Sequence, residues 1–125
     1  MSMMAIEVPK LDTVTIELPS PTSVKLKGTI TKKEPAQDLE GFLRAVHRDA
    51  TEKKAPEVKV DVSELTFVNS SAIRLFVDWA TWLKNERGHR YTLKFLTSSR
   101  ITWQKTSFAA LLALMKDVLT VERVD

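Results

Sequence analysis

The chain has no cysteine in 125 residues, which excludes disulfides, Cys-ligated zinc and a thiol nucleophile and points to a reducing cytoplasm. Histidine is nearly as scarce. His47 and His89 are the two present. With no paired His or carboxylate at ligand spacing, each reads as a surface residue rather than part of a metal centre. Three glycines, none clustered, leave no Gly-rich phosphate loop. No apolar run reaches membrane-spanning length, and residues 1–10 lack the basic start and apolar stretch of a secretion signal. What is present, 43% hydrophobic residues in a chain of one-domain length, suits a soluble intracellular globule that buries its own core. A net charge of +3 invites a nucleic-acid reading, but the nineteen basic and sixteen acidic residues are interleaved. Arg87, His89 and Arg90 come nearest to a patch and have no aromatic stacking platform beside them.

Read in order, 1–10 form a leader and 11–125 a single domain. Alternation over 11–18 (Val14, Ile16, Leu18) and 23–30 (Val24, Leu26, Ile30) predicts two strands, and Pro19-Ser20-Pro21-Thr22 between them predicts a hairpin. Gly28 reads as a plain strand glycine, with a bulge as the alternative. After a polar connection over 31–37, Leu39, Phe42, Leu43, Val46 and Ala50 describe an amphipathic helix with Arg44, Arg48 and Asp49 on its outer face. A further helix is expected from Ser71 to about Arg87, ended by Gly88. Its core stripe is Ile73, Phe76, Val77, Ala80 and Leu83, and a second apolar stripe, Leu75, Trp79 and Trp82, must meet a neighbouring helix or a partner. A strand over 91–96 follows. Thr97-Ser98-Ser99-Arg100 then caps a helical stretch that Trp103 to Phe108 divides into a short helix over 101–105 and a better one over 107–114. An edge strand over 118–124 closes the chain.

The centre of this pattern is 58–73. Val58, Val60 and Val62 alternate with polar residues as a half-buried strand, and a polar loop then delivers Asn69, Ser70 and Ser71 to a helix start. Unpaired N–H groups and the peptide dipoles suit that point to an anionic group. Plain helix capping would leave the same residues there. Asp61 and Glu64 could form a carboxylate pair, but read more simply as a solvent-facing strand residue and a turn residue. Ser70 lacks the glycines of a nucleophile elbow and has no histidine near it in sequence, so no catalytic residue, cofactor or metal is assigned and the chain reads as a non-enzyme. Strand order β-β-α-β-α-β-α-β with short connections implies a mixed α/β sheet with parallel crossovers, helices mainly on one face and the other face wetter.

Asp61-Val62-Ser63-Glu64-Leu65, Thr66-Phe67-Val68 and Asn69-Ser70-Ser71-Ala72-Ile73 resemble the central segment of the bacterial anti-sigma factor antagonists, the STAS domain family. That family's segment usually runs acidic residue, Ser or Thr, Ser, Gly, Leu, and its first hydroxyl accepts phosphate. The resemblance extends from about Thr13 to Val121. It implies a STAS-like fold with an N-terminal hairpin and phosphorylation at Ser70, with Ser71 as the alternative acceptor. It also implies a docking surface of Thr66, Asn69, Ser70, Ser71 and Arg74. The implied partners are a GHKL-type serine kinase that doubles as an anti-sigma factor, and a phosphatase. Asn69 stands where the family usually has Asp and Ala72 where it has Gly, so a constitutive STAS-type scaffold that is never phosphorylated is the alternative. A nucleic-acid-binding domain ranks behind both.

Overall fold

A computed structural model describes Ile6 and residues 13–30 and 34–124. The leader expected over 1–10 lies outside the described residues apart from Ile6, which packs against the core. Eight elements follow in the expected order. They are β1 (Val14–Ser20), β2 (Ser23–Ile30), α1 (Glu34–Glu52), β3 (Glu57–Val68), α2 (Ser70–Lys84), β4 (Thr92–Thr97), α3 (Thr102–Met115) and β5 (Leu119–Arg123). The strands form one sheet in the order β1-β2-β3-β4-β5. Only the β1/β2 hairpin is antiparallel, and the other three pairings are parallel. Each parallel crossover moves one strand over in the same direction, so crossovers of the usual hand place all three helices on one face.

Alternation decides which side chains meet those helices. Val24, Leu26, Val58, Val60, Val62, Leu93 and Phe95 are buried against Leu39, Leu43 and Val46 of α1, Phe76 and Leu83 of α2, and Phe108 of α3 in one core cluster. On the other face Lys25 pairs with Glu64 at 2.7 Å and Lys94 with Glu122 at 2.9 Å. Exposed pairs of this kind add little stability and keep that face wet.

Several expectations are corrected. Gly28 sits at a bulge: its φ is +105°, and a Cβ there would lie 2.3 Å from the Thr13 carbonyl oxygen. Asp49 is buried at 2% exposure rather than outward-facing; its Oδ1 meets Lys53 Nζ at 3.2 Å, and its Oδ2 has no hydrogen-bond partner among the described residues. The second helix ends at Lys84, short of Arg87, with Asn85 as its C-cap. The last helix is unbroken over Thr102–Met115 because polar Gln104 occupies a core position, in line with Phe108 and Leu111. Its N-cap residue is Ile101, whose side chain makes no capping bond, and Ser98 Oγ accepts from Arg100 N in the preceding turn.

The tryptophan stripe is covered by the chain itself. Leu75 and Trp79 are buried, and Trp82 lies against α1, with the Arg44 guanidinium 4.2 Å from its ring centre. The covering helix is thus the one that precedes α2 in sequence. Among the described residues no helix is long and apolar enough to cross a membrane.

Candidate functional site

The polar loop expected before α2 does not exist. β3 continues to Val68, and the single residue Asn69 joins it to the helix. Two slips against β2 make this possible: Lys25 and Lys27 face Asp61 and Glu64, and Gly28 and Thr29 face Leu65 and Phe67. Each adds one residue to β3, so the buried positions run 58, 60, 62, 65 and 68 rather than strictly alternating. Glu64 is therefore a strand residue. Its carboxylate is held by Lys25, which draws its pKa below the ordinary glutamate value. Asp61 Oδ1 accepts from Ser63 N at 2.9 Å and Ser63 Oγ at 2.6 Å. The two acids thus serve different partners.

β4 pairs with β3 only as far as Asp61. Beyond it, carbonyl groups on the free side of β3 are met by side chains from α3. Gln104 Nε2 donates to the Val62 and Leu65 carbonyls, the latter at 3.1 Å, and Trp103 Nε1 donates to Leu65 O at 3.1 Å. Gln104 Oε1 accepts from Ser98 N at 2.9 Å. One buried amide thus ties the β3 overhang to the segment that follows β4.

The overhang ends in a fixed helix start. Asn69 N donates to Ile30 O at 2.8 Å, and Asn69 Oδ1 accepts from Ala72 N at 3.0 Å, so Asn69 is the N-cap. Ser70 is the first helical residue and is exposed; Ser71 is half-buried, and Arg74, one turn on from Ser70, is exposed. Ala72 is buried in regular helix, where a glycine is not needed. Thr66 is exposed, and its hydroxyl donates to Gly28 O at 3.1 Å. The first turn of α2 contains no acidic residue. The helix N-terminus therefore keeps its partial positive charge.

Phe67, between the candidate residues Thr66 and Asn69, carries no distinguishing mark in the sequence. It is 52% exposed and lines a groove with Thr66, Arg100, Ile101, Thr102 and Trp103. A second groove, shared with Ser63, Ser98 and Val124, joins it at Thr66, Arg100 and Ile101. Undisturbed alternation from Leu65 would have turned Phe67 inward, and no pattern in the sequence announces the slip that turns it out.

The architecture can be compared with solved structures. An anti-sigma factor antagonist from Mycobacterium paratuberculosis superposes with a TM-score of 0.56 at 19% sequence identity, covering 86% of this chain and 84% of that one. The two proteins share a fold. The STAS-like mixed sheet with three helices, expected from the sequence, is therefore the architecture the chain adopts. No protein-family model matches the sequence, and no curated protein matches it.

Within that fold the histidines are far from Ser70. His47 bonds to Tyr91, the residue just before β4, whereas Ser70 follows the end of the parallel neighbour β3. Neither histidine is a free surface group: His47 is half-buried, and His89 Nε2 lies 2.5 Å from Ala55 O. Arg90 Nε donates to Glu86 O at 3.1 Å. Two of the three members of the basic patch are thus bonded to backbone carbonyls. Among the described residues no cluster of acids and histidines could hold a metal ion.

Proposed function

We propose that the chain is a non-enzymatic regulatory module of the anti-sigma factor antagonist type, which binds a protein partner and is switched by phosphorylation of Ser70. The observation that carries this reading is the placement of Ser70. Its hydroxyl is exposed at the first turn of α2, while the capping role is already filled by Asn69. Thr66, Asn69, Ser70, Ser71 and Arg74 form the docking surface, and exposed Phe67 extends it. The resemblance and the shared fold suggest a cytoplasmic GHKL-type serine kinase with anti-sigma activity as the partner, with a phosphatase to reverse the mark.

Phosphate on Ser70 adds about −1.5 to −2 charges. The domain tolerates them for three reasons. The helix dipole favours an anion at this end by about 0.3–1 kcal/mol. Arg74 lies at i+4, within reach of the phosphate along the helix surface. Asn69 adds no repulsion, as an aspartate at the same position would. A bound partner has none of these compensations, and excluding water from a dianion at an interface costs about 2–5 kcal/mol. That is roughly thirty-fold to a few thousand-fold in affinity.

The test is incubation with a kinase from the source cell, followed by mapping of the phosphosite and measurement of partner binding. Phosphate is expected on Ser70, with Ser70→Asp keeping the wild-type melting curve and losing the partner that Ser70→Ala retains. Equal binding by all three proteins would replace the switch with a constitutive scaffold.

A further inference from the structure

We infer that His47 is an acid-sensitive latch between α1 and the α2–β4 connection, held shut by a chain of hydrogen bonds that only a neutral imidazole can complete. The direction of the chain follows from its first member. Indole Nε1 of Trp79 can only donate, and it donates to Tyr91 Oη at 2.6 Å. The Tyr91 hydroxyl carries one proton. His47 Nδ1 lies 2.7 Å away and is the acceptor for it, which places the imidazole proton on Nε2, facing Glu86 Oε1 at 3.4 Å. Trp79, Tyr91, His47 and Glu86 therefore form one directed relay, with Trp79 and Tyr91 buried and Glu86 reaching towards solvent.

A proton taken up from solvent must go to Nδ1, because Nε2 already carries one. Two N–H donors would then converge on the Tyr91 oxygen, and the hydroxyl proton would lose its acceptor at a position only 3% exposed. The groups bearing on this titration are named by the packing. Burial opposes the charged imidazole and is the leading cause of its lowered pKa; Glu86 favours the charge, and Arg44 on the same helix opposes it. Trp82, the contact from α2, is uncharged and is flanked by both Arg44 and His47. Protonation would thus set a second cation beside Arg44 at the seam that moors α2, the helix that presents Ser70.

Because the folded-state pKa is depressed, the stabilising effect is complete above the ordinary histidine value of about 6.5. It is lost as pH falls from there through the lower folded-state value, and is constant below it. Nitrogen-detected NMR of the wild-type protein is the direct test, since it reads tautomer and titration together. The expected result is the Nε2–H tautomer, a midpoint below about 6.5, and a Trp79 indole N–H resonance that shifts with the same midpoint. A fixed indole resonance while His47 titrates, or the Nδ1–H tautomer, would overturn the latch. A second measurement compares urea midpoints of wild type and His47→Gln between pH 7.5 and 5.5. His89 is common to both, so the difference belongs to His47; the wild type is expected to lose more stability over this range than the variant does. Parallel curves would also overturn it.

Discussion

Gln104→Leu removes the amide that ties β3 to the start of α3 without leaving a void, because the two side chains are close in volume. Gln104 is 1% exposed, so water cannot take its place. The Leu65 carbonyl keeps Trp103 as a donor, but the Val62 carbonyl and the Ser98 amide lose their side-chain partner. At about 1–3 kcal/mol for each of these two buried bonds removed, the gross loss is about 2–6 kcal/mol. Burying leucine instead of a carboxamide returns about 1–2 kcal/mol. Taking the middle of both ranges, the net expectation is a loss of about 2–3 kcal/mol, which lowers a urea midpoint by roughly 1–2 M. Gln104→Glu supplies the control. Its carboxylate can still accept from Ser98 N, yet it opposes the two carbonyl oxygens, so this variant should be the less stable of the two at pH 7 and regain stability as the acid is protonated. Urea unfolding followed by tryptophan fluorescence and circular dichroism measures both. A leucine variant within about 0.5 kcal/mol of wild type would show that the overhang does not depend on these bonds.

Gly28→Ala places a Cβ 2.3 Å from the Thr13 carbonyl oxygen at a φ of +105°, and should cost at least about 2 kcal/mol in a denaturant titration. Gly41→Ala, with nothing within 4 Å of the new methyl group, should instead gain about 0.5–1 kcal/mol. Phe67→Ser should leave the melting temperature nearly unchanged, since the ring is 52% exposed, and weaken partner binding by at least about tenfold in a calorimetric titration. Wild-type affinity in that variant would remove Phe67 from the docking surface.

Most of the fold was legible in the sequence because most of the chain obeys one period at a time. Val58, Val60 and Val62 name the inner face of β3, and Leu39, Phe42, Leu43 and Val46 name the inner face of α1. The exceptions are local and have physical causes. Two bulges change the phase of β3 beyond Val62, so the sequence shows a turn where the chain continues as strand. Gln104 is polar by composition and buried by function, and this hid the continuity of α3. His47 and Asp49 lie among the polar residues of α1, yet tertiary packing covers both. At the candidate site the cap was legible from Asn69-Ser70-Ser71, since capping is a local property. The exposure of Phe67 was not, because it depends on register with β2.

The length mismatch between β3 and β4 links the architecture to the proposed switch. β3 has twelve residues and β4 six, so the last part of β3 would present an open strand edge in the middle of the sheet. Trp103 and Gln104 close that edge with side chains, leaving the end of β3 raised beside the grooves that Phe67 and Ile101 line. The same bonds fix the strand immediately before Asn69, which is in turn held by Ile30 O. A helix start anchored on both sides has little freedom to rearrange when charge is added. On the proposed reading, phosphate at Ser70 then acts through electrostatics at a surface of fixed shape rather than through local unfolding. Ser70→Asp should accordingly leave amide exchange over 64–69 unchanged while partner affinity falls, and faster exchange there would mean that the switch works by loosening the overhang.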